Sequence, residues 1–362
     1  VDVPEHVIVP KAHDAITMLL QPPVTRHVAL ISRVLTAVDL NDELAFAAHK
    51  VNDVGSNRLL ADKLMAVYRS RSKPVPKLRL GARRIAAQTA GALTLRQYHS
   101  GQLGREADTL ALVRHGALAM TRVTVASVNN AFPATRILSL PYVFDDVAHM
   151  RRALDGEAGQ QILDSFAARG LIGLCFYDAG VRSIYNRTRP VHTPTDLKGL
   201  KLRVPPSDMF MELLRAYGVN ATPLPYGEVY SALQTHLIDG AENNWPSFHS
   251  SRQFEVARYW SQTEHAYTPD VLLMSARVYA ALPAPQQTLV RALARQSVAQ
   301  MRPLWDARVQ EAERAARAGG VVVNAVDHAA FRDAARPVIE RYLQDPLLAD
   351  LHARIRVSVE VQ

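Results

Sequence analysis

Residues 171–186 read LIGLCFYDAGVRSIYN, and residues 196–208 read DLKGLKLRVPPSD. The run 171–177 is almost continuously apolar, which is typical of a strand that is covered on both faces. After the short break DAGV at 178–181, residues 182–186 predict a second strand. Residues 201–204 predict a third, which ends at Pro205 because proline cannot donate to a sheet ladder. Polar residues at such strand ends are where α/β proteins bind ligands.

Helical and strand patterns alternate along the chain from Leu78 onward. This alternation predicts an α/β protein with parallel sheets. The long periodic segment 285–318 predicts one helix, with a kink at Pro303. Further predicted helices cover 105–115, 146–155, 209–217 and 327–351, and further predicted strands cover 93–98, 118–124, 238–241, 259–267 and 271–275.

Length and composition indicate a globular protein with two lobes. The chain has 362 residues, and single hydrophobic cores stop growing near about 250–300 residues. The net charge of +8 is spread along the sequence, which argues against nucleic acid and would attract an anionic metabolite. The sequence contains no window of about 18 uncharged apolar residues, so it predicts no membrane-spanning helix. A signal peptide is not visible at the given start.

Sequence motifs for catalysis, cofactors or metals are not evident. The motifs GxxxxGK[ST], GxGxxG, GxSxG and HExxH do not occur, and each of them has a defined phosphate, nucleophile or metal chemistry. The single cysteine, Cys175, lies in an apolar strand and is expected to be a small buried side chain. Glu228 and Glu242 are the nearest to an acid/base pair. We therefore expect no catalytic residue, no cofactor and no metal.

Three polar residues near strand ends are candidates for ligand binding. Arg203 lies within an apolar strand, and its planar guanidinium can hold a carboxylate through two charge-assisted hydrogen bonds. The alternative is a structural ion pair with Asp or Glu. Arg182 has the same two interpretations. Asn243 can donate and accept at once, which suits an organic acid with a hydroxyl group, although a plain turn residue would fit as well.

Several long segments resemble the extracytoplasmic solute-binding proteins of TRAP transporters, the DctP family. The resemblance extends over about residues 78–345, in order and without large gaps. It rests on YHSGQLG (98–104), ILSLPYVFDDVAHMRRALDG (137–156), FYDAGVRSIYN (176–186), DLKGLKLRVPPSD (196–208), PLPYGEVYSALQTHLIDGAENNWPSF (223–248) and TEHAYTPDVLLMS (263–275).

The resemblance implies a two-lobed periplasmic-binding-protein-like fold, similar to type II, with one long helix shared by both lobes. It implies a periplasmic receptor without enzyme activity that passes a small carboxylate to membrane permease subunits. In the family, the arginine of the GLKxR motif clamps the substrate carboxylate, which matches Arg203. The other residues that the resemblance assigns to the site are Arg182, Asn243, Tyr226, Glu228, Tyr177, Asp178 and Thr124.

Two departures from the family are evident. Residues 1–75 match nothing in it, so we expect an atypical extension that is foreign to the fold, and the loop that should follow a strand at 77–80 is absent. His236 stands where the family usually has glycine, so a positive φ there would cost about 1 kcal/mol. The expected division is 76–181 with about 272–300 for lobe one, and 182–271 with about 301–362 for lobe two.

Other functions stay open at this point. The chain could be an enzyme acting on a small organic acid, a repurposed sensor, or a binding protein damaged at its N-terminus. Within the resemblance, the PYGEVY and ENN segments suggest a subgroup that binds small carboxylates, such as dicarboxylates, keto acids or cyclic amino-acid derivatives like pyroglutamate. The sequence leaves the oligomeric state undetermined.

Overall fold

A computed structural model of the chain describes residues 17–18, 84–99 and 101–357. The predictions for residues 1–75, apart from 17–18, and for the strand and missing loop near 77–83 lie outside the described residues. Within them the chain forms two sheets, whose strands are β1 Thr17–Met18, β2 Met120–Thr124, β3 Leu171–Tyr177, β4 Val181–Asn186, β5 Lys201–Val204, β6 Asn220–Pro223, β7 Gly240–Asn243, β8 Tyr259–Tyr267, β9 Asp270–Ser275 and β10 Val322–Asn324.

The first sheet has the strand order β1-β2-β9-β3. Strand β9 lies between β2 and β3 and runs antiparallel to both of them. The short β1 pairs antiparallel with β2, with Thr17 opposite Thr121. Because β9 is central, its residues are buried from Val271 to Ser275, and its start at Asp270 lies beside the carboxyl ends of β2 and β3.

The second sheet has the order β10-β8-β4-β7-β5-β6. Parallel pairing joins β5 to β6, β5 to β7 and β10 to β8, whereas β4 runs antiparallel to both β7 and β8. The carboxyl ends of β5 and β7 therefore lie at the same edge as the start of β4. That edge carries Arg203, Asn243 and Arg182.

The prediction of purely parallel sheets was wrong. The chain passes from β3 to β4 through only 178–180 and from β8 to β9 through only 268–269. These linkers are too short for the helical crossover that parallel neighbours in one sheet require. They instead carry the chain from one sheet to the other, where β4 runs antiparallel to β7 and β8, and β9 runs antiparallel to β2 and β3. The predicted strand at 93–98 was also wrong, since only Tyr98 makes a bridge there.

The long helix Ala284–Ala318 belongs to both lobes, as expected. Its first half packs Val290, Ala294 and Val298 against the core of the first sheet. Its second half packs Ala312 and Ala316 against the core of the second sheet. The helix continues through Pro303. The two-lobed α/β fold with a shared helix is thus confirmed.

The other helices cover the sheet faces. In chain order they are 84–88, Glu106–Arg114, Val147–Asp155, Glu157–Ser165, Asp208–Ala216, Val229–Gln234, Trp245–Ser250, Ala276–Ala280, His328–Tyr342 and Pro346–Val357. The last of these packs Leu348, Leu351 and Ile355 into the core of the first sheet, although the expected division assigned it to the second lobe. The lobe boundaries themselves stay a prediction.

The linker 178–180 depends on glycine at its last position. Gly180 has φ +74°, which side chains rarely tolerate. A Cβ placed there would lie 3.3 Å from Cβ of Asn244 and 3.5 Å from the Trp305 ring of the long helix. The backbone therefore turns between the lobes where both space and conformation favour glycine.

Candidate functional site

The candidate site lies where the strand ends of the two sheets face each other. Thr124 at the end of β2 and Asp270 at the start of β9 come from the first sheet. Arg182, Arg203 and Asn243 come from the second sheet. The two sets interact electrostatically, since Asp270 acts on Arg182 and Glu106 acts on Arg203 across the gap.

Arg203 is a buried cation without a counter-ion among the described residues. It is only 3% exposed. Its Nε donates to the Leu224 carbonyl oxygen at 2.8 Å, and its guanidinium carbon lies 5.9 Å from the centre of the Tyr226 ring. Burial lowers the pKa of Arg203 below its ordinary value, despite the nearby Glu242 carboxylate. The terminal nitrogens have no ion-pair partner in the described part of the chain.

Arg182, by contrast, already holds a carboxylate. Its Nε and one terminal nitrogen donate to the two oxygens of Glu242 at 2.5 and 2.8 Å, and that nitrogen also reaches the Glu242 carbonyl at 3.1 Å. Burial favours the neutral form of Glu242, yet Arg182 and His265 lower its pKa to about 2. Arg182 is thus charge-neutralised, and its structural interpretation has a defined partner.

His265 completes this buried group from β8. Its Nε2 lies 3.4 Å from Oε2 of Glu242, and its Nδ1 lies 2.9 Å from the Thr263 hydroxyl. That hydroxyl accepts from the Ile184 amide. Because an ionised carboxylate only accepts, the arrangement favours hydrogen on Nε2 and donation from the Thr263 hydroxyl to Nδ1. The ring therefore acts on Glu242 electrostatically rather than through a well-formed hydrogen bond.

Asn243 is buried beside this group. Its side-chain oxygen accepts from the Asn244 amide at 2.9 Å, while Asn244 in turn caps the helix Trp245–Ser250. The Nδ2 of Asn243 has no hydrogen-bond partner among the described residues. The amide therefore keeps a donor that can serve a ligand.

Tyr226 and Glu228 lie on the turn after β6. The Tyr226 hydroxyl bonds to Ser247 and Ser251 at 2.9 and 3.0 Å. Its ring face, rather than its hydroxyl, lies near Arg203. Glu228 lies at the surface and pairs with Arg105 of the first lobe at 2.6 Å. Both residues border the gap, but neither offers a free polar group to it in this arrangement.

Tyr177 and Asp178 point toward the long helix. The Tyr177 hydroxyl bonds to Ser297 at 2.6 Å. Asp178 is 2% exposed and accepts from Arg151 at 2.6 Å, with Arg302 3.7 Å away. Burial raises the pKa of Asp178 in spite of Arg151. These contacts hold the linker between the lobes against neighbouring helices. The two side chains therefore have a structural role.

Glu106, Arg122 and Asp270 lie near the site and had not been identified from the sequence, whereas Thr124 had been. Glu106 accepts from the Thr124 amide at 2.9 Å and from the Ser127 hydroxyl at 2.5 Å, and burial raises its pKa. Arg122 of β2 pairs with Asp270 at 3.4 Å. The Thr124 hydroxyl is buried and has no hydrogen-bond partner among the described residues.

The described residues were also considered as a possible nucleophile, metal site or membrane-spanning helix. Burial raises the pKa of Cys175 to about 12, so the thiol stays protonated and is a poor nucleophile. No group of three or more His, Cys, Asp or Glu in this part of the chain is arranged to hold a metal ion. Within residues 84–99 and 101–357, no helix combines the length and apolar character needed to span a bilayer.

The sequence of the chain is similar to those of known solute-binding proteins. Residues 77–345 match the sequence model of the bacterial extracellular solute-binding proteins, family 7 (DctP). A solute-binding protein of Chromohalobacter salexigens is 37% identical over 265 residues, which cover 73% of this chain and 79% of that protein.

Solved structures agree in fold over most of the chain. A TRAP periplasmic solute-binding protein of a Bradyrhizobium species, in complex with D-galacturonate, has a TM-score of 0.76 and 45% identity, and the match covers 78% of this chain and 94% of that one. Another from Roseobacter denitrificans, with bound β-D-glucuronate, has a TM-score of 0.75 and 39% identity over 77% of this chain and 93% of its own.

Proposed function

The chain belongs to family 7 of the bacterial extracellular solute-binding proteins, and on that premise we propose that its ligand is a hexuronate, the monoanion of a sugar acid. It is a periplasmic receptor that captures a small carboxylate for the membrane subunits of a TRAP transporter. The guanidinium of Arg203, which is buried and has no ion-pair partner in the described part of the chain, is the observation that carries the proposal. Galacturonate and glucuronate bound to the two similar structures support the choice of sugar acid.

The charges of the site favour one carboxylate rather than two. Arg182 is neutralised by Glu242, and Arg122 pairs with Asp270. In the part of the chain that the structure describes, this leaves Arg203 as the site cation without an anion. A second ligand carboxylate would meet Glu106 and Asp270 without a free cation among the described residues, and burying an unpaired charge is costly. A dicarboxylate should therefore bind more weakly than a uronate.

The remaining polar groups suit hydroxyls. The Nδ2 of Asn243 has no partner within the described residues and can donate to a ligand, and the Thr124 hydroxyl can donate and accept. The face of the Tyr226 ring lies beside the clamp and can cover the apolar C–H side of a sugar. We propose Arg203, Asn243, Thr124 and Tyr226 as ligand contacts, with Arg182 and Glu242 as their buried support.

We also propose that the ligand is released unchanged. Catalysis would need a group that is activated by its environment. The one thiol is protonated, and Glu242 is held in its ionised form by Arg182. Incubation with D-glucuronate followed by mass spectrometry should return the acid intact, and any turnover would contradict this proposal.

Thermal shift against matched ligands tests the proposed ligand. D-galacturonate and D-glucuronate at about 100 times Kd should stabilise the protein by about 2.7 kcal/mol. D-galactose and D-glucose, which lack the carboxylate, should give no shift. Succinate tests the single-charge argument. Equal stabilisation by the neutral sugars, or a stronger effect of succinate than of both uronates, would contradict the proposal.

A further inference from the structure

The surface ion pair between Arg105 and Glu228 joins the two lobes beside the candidate site. Arg105 precedes the helix Glu106–Arg114, which packs on β2 and β9 of the first sheet. Glu228 ends the turn that follows β6 of the second sheet. A terminal nitrogen of Arg105 lies 2.6 Å from Oε1 of Glu228, with side-chain exposures of 66% and 40%. The contact is therefore at the surface and between lobes.

Each partner is next to a residue of the site. Glu106 follows Arg105 directly and holds the segment Thr124–Ser127 opposite Arg203. Tyr226 lies two residues before Glu228, and its ring lies beside the Arg203 guanidinium. Separation of Arg105 from Glu228 would therefore move both walls of the site apart.

Inter-lobe contacts at another position are of a different kind. There Asn129 donates to the Ser207 hydroxyl at 3.2 Å, and the Asp208 amide donates to Asn130 at 3.3 Å. These are bonds without a pair of opposite charges, and ionic strength affects them little. Salt should therefore weaken the exposed arginine–glutamate contact more than these hydrogen bonds, and more than the buried charge interactions between the lobes, which salt screens less.

We propose that Arg105 and Glu228 form a latch that holds the lobes together over the bound ligand and slows its release. The pair positions the site and does not touch the ligand. Exposed ion pairs contribute little, so loss of the latch should raise the release rate by about two- to fivefold and leave the fold intact. The proposal rests on the proposed function only for the choice of ligand.

A distance measurement between spin labels, made with and without saturating D-glucuronate, tests whether the latch favours the closed lobes. Labels at the exposed positions Arg114→Cys and Gln234→Cys would report on the first and second lobe, and the native Cys175 is buried. The short-distance population should fall in Arg105→Gln and in Glu228→Gln. The charge swap Arg105→Glu with Glu228→Arg should restore it.

The control is Arg317→Gln, which removes an exposed pair with Glu313 inside one helix. It should leave the distances unchanged. Stopped-flow release of D-glucuronate, at about 20 and about 500 mM salt, gives the second readout. Release in the wild type should accelerate with salt, and release in Arg105→Gln should already be fast and nearly salt-independent.

The results separate this proposal from the proposed function. Unchanged lobe distances in Arg105→Gln would overturn the latch, whether or not a uronate binds. Release as slow in Arg105→Gln as in the wild type would also overturn it. If the wild type binds no uronate but the distances change and the charge swap restores them, the latch stands and the ligand assignment falls.

Discussion

Arg203 illustrates how a single residue can make the protein depend on its ligand. Its guanidinium is 3% exposed and has no carboxylate partner among the described residues. Burial without an anion is unfavourable, and the lowered pKa of Arg203 has the same cause. A bound carboxylate removes this cost, so the closed arrangement becomes favourable when the ligand is present.

Arg203→Met is therefore expected to separate binding from stability. Methionine fills a similar volume without charge, so the stabilisation by D-galacturonate should disappear. The free energy of unfolding without ligand should not fall, because an unsatisfied buried group costs about 1–3 kcal/mol. Urea denaturation with and without ligand measures both effects. The control, Arg314→Met, removes an exposed charge and should leave ligand stabilisation unchanged; retention of that stabilisation in Arg203→Met would refute the clamp.

Glu242→Gln should destabilise the protein in a pH-dependent way. At pH 7 the variant leaves Arg182 unpaired in the interior, at a cost of about 3–5 kcal/mol. The pKa of Glu242 is lowered to about 2 in the fold, so its ionised form stabilises the protein above its ordinary value of 4.5 and this contribution is lost as the pH falls toward 2. The difference in unfolding free energy between wild type and variant should therefore narrow below pH 5. Glu313→Gln, at a half-exposed pair within one helix, should show almost no difference at any pH.

Only some of the site residues were predicted from the sequence. Arginine inside a short apolar strand indicated Arg203 and Arg182, and the same rule applied to Arg122 in MTRVT would have found the pair with Asp270. Glu106 had no local signal, because its role depends on which helix start faces the end of β2. Tyr177 and Asp178 were expected to be near the ligand, yet their side chains contact Ser297 and Arg151, which are distant in sequence.

A histidine adopts a left-handed backbone conformation at the end of one helix. His236 has φ +61° at the end of the helix Val229–Gln234, as the unusual histidine in the QTHLIDG segment had suggested. A side chain in this conformation is strained, whereas glycine adopts it readily. His236→Gly should raise the free energy of unfolding by about 1 kcal/mol. A higher midpoint of urea denaturation would agree, and a lower midpoint would contradict the strain.

Gly180→Ala should lower the free energy of unfolding, and by more than Gly170→Ala does at a turn with nearly the same φ. Gly180 and Gly170 have nearly the same φ, +74° and +75°, but of the two only Gly180 has neighbours within 4 Å of the point that a Cβ would occupy. Gly170→Ala thus measures backbone strain alone, about 1–2 kcal/mol. Gly180→Ala adds contact with Asn244 and Trp305, and it should lose more stability in urea denaturation. Equal losses would show that crowding at the linker contributes nothing.

The periodicity of the sequence predicted the bounds of some strands correctly, but it did not predict the strand directions. The apolar run of β3 and the short β5 have the predicted bounds, because their patterns are local. Direction depends on whether a strand pairs with its neighbour in sequence or enters the other sheet. The linkers 178–180 and 268–269 are short enough to have excluded a helical crossover, so their length was the signal that the parallel prediction overlooked.

At the scale of the whole molecule, net charge should govern how fast the ligand arrives. The chain carries a formal charge of +8, and a net positive field speeds the encounter with an anion until salt screens it. The association rate of D-galacturonate in stopped-flow measurements should therefore fall between about 20 and about 500 mM salt. The latch acts on release instead, so the two rates should change in opposite directions and the affinity should fall through both. An association rate that does not depend on salt would indicate that the charge of the surface does not guide the ligand to the site.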